Sequence, residues 1–278
     1  MSAVASVSAL RRALRPAVRA VTAGSRDPSR LFGELVWNQL DEHPELRSDV
    51  DAFSDDEARR HFGDDEPVES EHHRRVLRYF HAWRIHTLRQ RLGARLECAR
   101  VLDVGDTDGL ILKGLGKPGT GFNLSDAALR NIRSNGIEAV GGDGHGLPFE
   151  DGSFDVVLCF EMLEHVEAPH QVLTELARVA GDGGRVFLSI PWVTSTAFHP
   201  RDSSIPRGYQ HICELAPHDF HALVSHSQLS VVWEDVCWLL GRPRTLEQRL
   251  FLARHRRDRL IAWTFKGFQF YELALREE

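Results

Sequence analysis

Three carboxylates crowd one short glycine-bearing stretch: Asp103, Asp106 and Asp108 lie within Val101-Leu-Asp-Val-Gly-Asp-Thr-Asp-Gly-Leu110. Val101, Leu102 and Val104 form the continuous apolar run of a parallel strand covered on both faces. Gly105 and Gly109 bracket the turn into a helix marked by Leu110, Ile111 and Leu115. That junction is where an open α/β sheet binds its ligand, and several ligand classes use one. Charge narrows the choice. Three carboxylates repel a pyrophosphate and suit a ligand carrying a sulfonium and an ammonium group. An NAD-dependent oxidoreductase is disfavoured for this reason, and because the third-glycine spacing is missing.

Elements that position this turn follow in regular alternation. Glu69 to Leu92 is predicted as a helix, opened by Glu69 and Glu71, closed by Arg89 and Arg91, with Leu77, Phe80, Leu88 and Leu92 as its buried stripe. Further strands are predicted at Thr120 to Leu124, Ile137 to Val140, Phe154 to Phe160 and Arg185 to Ile190, with helices after Ser125 and around Val172 to Val179. This rhythm implies an α/β fold with a doubly wound, parallel sheet. A helix from Pro217, a strand from Leu229 to Trp238, an arginine-rich helical stretch from Arg244 to Arg257 and a strand near Phe265 to Leu275 suggest an antiparallel hairpin at one edge. The expected division is a helical, acidic N-terminal extension over residues 1–68 and the α/β domain over 69–278.

The ordered set of motifs resembles the class I S-adenosylmethionine (SAM)-dependent methyltransferases, of the ubiquinone and menaquinone methyltransferase-like type. Val101-Leu-Asp-Val-Gly105 matches the first motif of that family, and Gly121-Phe-Asn-Leu-Ser125 stands where its second strand ends. Gly142-Asp143 with Leu147-Pro-Phe-Glu-Asp-Gly-Ser-Phe-Asp155 resembles the adenine-side stretch. Glu161-Met-Leu-Glu-His165, and Arg178 with Gly183-Gly184, continue the pattern. The resemblance covers roughly Glu69 to Leu275 and implies a Rossmann-like sheet of seven strands, mostly parallel with an antiparallel last strand. It implies SAM as co-substrate, bound by Asp103, Gly105, Asp106, Gly109, Asn123, Leu124, Asp143, Gly144, His145, Phe160 and Glu161.

Physical reasons accompany these assignments. Asp143 can accept a hydrogen bond from the adenine amino group, with the backbone of Gly144 and His145 against the ring. Asp103 can order the loop or meet the ammonium group, and Gly105 lets the chain pass beneath the methionine moiety. Asp155, Glu164 and Ser153 read as turn and capping residues. Two positions depart from the family: Thr107 stands where a glycine is usual, and Asn123 where an acid is usual. Asn123 can still bond a ribose hydroxyl but gives up the charge-assisted grip. The departures keep a second reading open, a non-catalytic SAM-binding or scaffold protein. For a hydroxyl acceptor a general base helps, and the candidates are His165 and His211. No metal site is expected.

The remaining properties bound the setting. The 278 residues carry a net charge of -6, which argues against general nucleic-acid binding. Cys98, Cys159, Cys213 and Cys237 are far apart in apolar settings, as for buried thiols in a reducing compartment. No cleavable export signal is evident, so a cytoplasmic protein is expected. Val7 to Val21 reads as an amphipathic helix bearing Arg11, Arg15 and Arg19. It reads first as a frayed or docked arm, and the arginines from Arg242 to Arg259 as a solvated face paired with the acidic run before residue 70. Peripheral contact of both segments with an anionic membrane is the alternative, and a transit peptide would look similar to the first. The acceptor is a small molecule or a lipid- or saccharide-linked one, and the sequence does not fix the oligomeric state.

Overall fold

Apolar side chains at helical spacing build a helical layer ahead of the sheet. The computed structural model describes residues 28–61, 68–202, 210–255 and 267–276. Helix α1 (Pro28–Glu42) buries Leu31, Leu35, Val36 and Leu40, and short helices α2 (Arg47–Asp51) and α3 (Asp55–Arg59) follow. A capping box sets the start of α3: Ser54 Oγ accepts from Glu57 N at 3.1 Å, and Glu57 Oε2 accepts from Ser54 N at 2.8 Å. Helix α4 (Glu71–Leu92) then delivers the chain to the sheet. The predicted helix at Val7 to Val21 lies outside the described residues.

From there strands and helices alternate as β1 (Val101–Val104), α5 (Leu110–Leu115), β2 (Gly119–Asn123), α6 (Asp126–Ser134), β3 (Glu138–Gly141), β4 (Val156–Phe160), α7 (Pro169–Ala180) and β5 (Arg185–Pro191). A two-stranded clip, β6 (Ala197–Phe198) with β7 (Cys213–Glu214), precedes α8 (Pro217–Ser225), β8 (Leu229–Cys237), α9 (Leu246–His255) and β9 (Phe268–Leu275). The seven-stranded sheet has the order β3-β2-β1-β4-β5-β9-β8. Strands β1 to β5 run parallel, and β9 is antiparallel to both neighbours.

Strand side chains alternate between two apolar layers because both faces are covered. Leu102, Val104, Val157 and Cys159 pack with Val172, Leu173 and Leu176 of α7. Val101, Val156, Leu158 and Phe160 pack with Leu88 and Leu92 of α4 and with Leu110 and Ile111 of α5. Each fully buried aliphatic side chain contributes about 1.5–3 kcal/mol, so truncating Leu102 to Ala in this tight interior costs about 2–5 kcal/mol.

A third cluster joins α1 and α4 to Leu239 and Phe251. Arg244 pairs with Asp41, and Arg242 N donates to Glu42 Oε1 at 3.0 Å, so two of the late arginines meet acidic residues before residue 70. Among the described residues no helix is long and apolar enough to cross a membrane. The four cysteines are free, and three are buried. Cys98 is exposed instead, because it closes the 3-10 turn Gly93–Glu97 ahead of β1.

Candidate functional site

Strand order reverses between β1 and β4, and the crevice beyond their carboxyl ends collects most of the residues singled out in the sequence. Gly105 (φ 88°) and Gly109 (φ 72°) take the left-handed backbone that the turn demands, and Gly105 N donates to Phe122 O at 2.8 Å. Thr107 is not among the positive-φ residues, so its side chain costs the loop no backbone strain. Asp106 turns inward: its Oδ1 accepts from Asp108 N at 3.0 Å and from Gly109 N at 2.7 Å. Asn123 braces the same loop, donating from Nδ2 to Asp106 O at 2.7 Å while Oδ1 accepts from Ser125 N at 2.8 Å. Both side chains shape the loop through their own bonds.

The opposite wall comes from the segments after β3 and β4. Asp143 Oδ1 accepts from His145 N at 3.0 Å and from His145 Nδ1 at 2.5 Å. A Cβ on Gly144 would lie 2.5 Å from Met162 Cε, and one on Gly105 2.9 Å from Met162 Cγ, so the flexible thioether lies against two glycines. Leu124 is beyond β2 and 56% exposed at the rim. The Phe160 ring turns away from the crevice and stacks on Phe270 with centroids 5.3 Å apart, leaving only its backbone on the crevice side.

Charge concentrates at the end of β4. Glu161 has φ 50°, the one non-glycine residue with positive φ among those described, a strained backbone of the kind that clusters at functional sites. Ser189 Oγ donates to its Oε1 at 2.5 Å, and Arg84 Nη2 lies 3.5 Å from the same atom. Arg84, 6% exposed, comes from α4 and lies over the Phe80 and Phe160 rings at 3.6 and 4.7 Å. Burial pushes the Glu161 carboxyl up to about 7, against the pull of Arg84. Burial and the neighbouring Glu161 raise Glu164 well above the ordinary carboxyl range, and burial with Asp106 does the same to Asp103. Glu164, expected as a turn residue, is 2% exposed, and its Oε2 has no partner.

His165 and His211 stand beside this group. The β6–β7 clip carries His211 in, and Ile212 N donates to Glu164 O at 2.7 Å. The two imidazoles meet edge to face with centroids 4.8 Å apart. His165 Nδ1 lies 3.0 Å from the Gln210 carbonyl, which can only accept, so the proton sits on Nδ1 and the lone pair on Nε2. His211 Nδ1 lies 3.1 Å from Glu214 Oε1, the same arrangement with a carboxylate behind it. Burial lowers both rings, His165 to about 4. Glu164, His165 and His211 each offer a ligand atom within 4.8 Å of the other two, a group that could take one divalent cation and that the sequence did not reveal.

The donor set fits a cationic ligand. Asp103, Glu161 and Glu164 are three buried carboxyls whose raised pKa favours the neutral form with only the Arg84 guanidinium buried among them in the described residues, and a sulfonium with an ammonium group bound there would favour their ionised forms. Arg84 was missed although its sequence position signals it: Phe80, Arg84 and Leu88 fall on one helical face, a charge inside an apolar stripe.

A family model described as a methyltransferase domain matches residues 102–188. The ubiquinone biosynthesis O-methyltransferase of Xanthomonas oryzae pv. oryzae is 33% identical over 179 residues, spanning 57% of this chain and 74% of that protein. The protein of the same name from Pseudomonas aeruginosa is 30% identical over 188 residues, spanning 60% and 78%. A solved SAM-dependent methyltransferase from Clostridium acetobutylicum is 12% identical with a TM-score of 0.47, over 69% of this chain and 91% of that one. The extent of the match to curated methyltransferases settles the family: the chain belongs to the class I SAM-dependent methyltransferases, and it is an enzyme that uses SAM as its methyl donor.

Proposed function

We propose that this enzyme methylates a hydroxyl oxygen of its acceptor, with His211 as the general base. The observation that carries this reading is the His165–His211 pair at the end of β4, two imidazoles with their lone pairs on Nε2 beside a cluster of carboxyls. The relatives from Xanthomonas oryzae and Pseudomonas aeruginosa are O-methyltransferases by name, which supports the choice of oxygen.

His211 suits the base better than His165. The Glu214 carboxylate behind its Nδ1 compensates the charge gained when Nε2 takes the hydroxyl proton. His165, whose Nδ1 is backed by a carbonyl and not by a carboxylate, stays neutral and orients the acceptor. SAM, when bound, supplies a methyl group already activated by a sulfonium leaving group. The protein contributes alignment and exclusion of water.

In this reading Asp103 and the backbone of Gly105, Phe160 and Glu161 hold the methionine end. Asn123 and Leu124 border the ribose, and Asp143, Gly144 and His145 border adenine. Asp106 and Gly109 act by shaping the loop. Incubation with SAM carrying a deuterated methyl group and a panel of phenols and catechols tests the acceptor atom. The labelled methyl is expected on oxygen, and label on nitrogen or carbon would replace this reading.

The cluster of Glu164, His165 and His211 supports a second reading, in which a divalent cation binds the acceptor oxygen and lowers its pKa. Turnover with EDTA against turnover with added Mg2+ decides between the two. Undiminished turnover in EDTA favours the imidazole base.

A further inference from the structure

A second group of side chains converges on Asp108 of the same loop. His61 lies in the turn after α3, His81 on the buried face of α4 and Asp108 between β1 and α5. His61 Nδ1 is 2.5 Å from Asp108 Oδ2, and His81 Nε2 is 3.7 Å from the same oxygen. The two imidazole centroids are 5.3 Å apart, and the three residues each offer a ligand atom within 4.8 Å of the others. Neither ring nitrogen of His81 has a hydrogen-bond partner, although both are shut off from solvent. A neutral imidazole carries one donor and one acceptor, and an interior that leaves both unused is rare.

We propose that His61, His81 and Asp108 form a binding site for a zinc-type transition-metal dication. Two imidazole nitrogens and one carboxylate oxygen are donors that Zn2+ takes, whereas Mg2+ and Ca2+ favour all-oxygen sets. A tetrahedral site with bonds of about 2.0–2.2 Å sets its ligand atoms roughly 3.3 Å apart. His61 and Asp108 must therefore open from 2.5 Å and His81 must close from 3.7 Å, both within reach of side-chain rotation. Asp108 Oδ1 accepts from Leu110 N at 2.9 Å, which fixes the carboxylate, and the buried Phe53 ring 5.6 Å from His81 supplies an apolar shell.

The ion ties two parts of the chain together. His61 and His81 belong to the helical layer before the sheet, and Asp108 belongs to the loop beside the SAM crevice. Zinc at this place cross-links them and steadies the loop, a structural role separate from the chemistry at His165 and His211.

The test uses the full chain in a His211→Ala background, which removes the other candidate cation cluster. Protein stripped with EDTA is dialysed against ZnCl2 and then against metal-free buffer, and its zinc is counted by inductively coupled plasma mass spectrometry. The expected result is one zinc retained per chain, with a higher Tm in zinc than in EDTA. Adding His61→Ala or His81→Gln should abolish both the retained zinc and the Tm rise. Circular dichroism of the zinc-free variants establishes folding; His61 sits in a turn, so His61→Ala decides the matter even where His81→Gln does not fold. No retained zinc in the His211→Ala chain, or zinc content unchanged by His61→Ala, overturns the proposal.

Discussion

His165 and His211 meet edge to face, ring centroids 4.8 Å apart, although one follows β4 and the other arrives on the β6–β7 clip. The clip is held to the turn after β4 by the bond from Ile212 N to Glu164 O, so the pair depends on local backbone as well as on side chains. At Nδ1 His211 meets the Glu214 carboxylate, whereas His165 meets the Gln210 carbonyl. That asymmetry gives the first prediction.

His211→Gln is expected to lower kcat by about 10²–10⁴-fold, the usual contribution of a general base, while leaving SAM affinity within about twofold. His165→Gln should cost less, and Glu214→Gln should fall between them. Stopped assays of kcat with calorimetric SAM binding check the order. Unchanged kcat in His211→Gln removes that residue from the mechanism.

The raised carboxyl of Glu161 links SAM binding to pH. With its pKa near 7, Glu161 carries a proton at pH 6 and is ionised at pH 8, and the ionised form attracts the sulfonium. SAM affinity should therefore rise between pH 6 and pH 8, by about tenfold at most for a single proton. The thermal shift produced by SAM should grow over the same window. In EDTA, Glu161→Gln should flatten the dependence. A wild-type affinity that falls with rising pH contradicts the assignment.

Among the described residues Arg84 is the lone buried guanidinium beside the crevice carboxyls, and removing it takes away the partner of Glu161 and Asp103. Arg84→Met should destabilise the fold by about 3–5 kcal/mol, as for other broken buried ion pairs. Adding Glu161→Gln should restore part of the loss. Urea denaturation measures both. A single-variant loss under about 1 kcal/mol would show the guanidinium to be energetically idle.

Much of the fold was legible because its signals are local. Val101, Leu102 and Val104 announce a strand covered on both faces, and Gly105 and Gly109 fall where positive φ is needed. Strand ends moved by one to three residues: Leu124 lies past β2, and β4 begins at Val156. The crevice was legible in part. Its glycines and acids are contiguous in sequence, whereas Arg84, Glu164 and the His165–His211 pair arise from packing between distant segments. The acidic stretch before residue 70 read as solvated linker, yet its turn places His61 against Asp108. Asn123 read as a weakened ribose ligand, and the sequence did not show that its amide also donates to the loop.

That donor makes Asn123→Asp costly. A carboxylate cannot donate to Asp106 O, so the variant should lose about 1 kcal/mol of stability despite restoring the acid usual in the family. Thermal denaturation of the two proteins without SAM checks this, and an unchanged or higher Tm in Asn123→Asp contradicts it.

The central claim is that the acidic crevice between β1 and β4 binds the cationic methyl donor. Isothermal calorimetry of the full chain with SAM, repeated with S-adenosylhomocysteine, tests it most directly. The account predicts one SAM bound per chain, binding of both ligands, and a greater loss of affinity in Glu161→Gln for SAM than for the uncharged thioether. No heat with either ligand, or equal losses for the two, would contradict it.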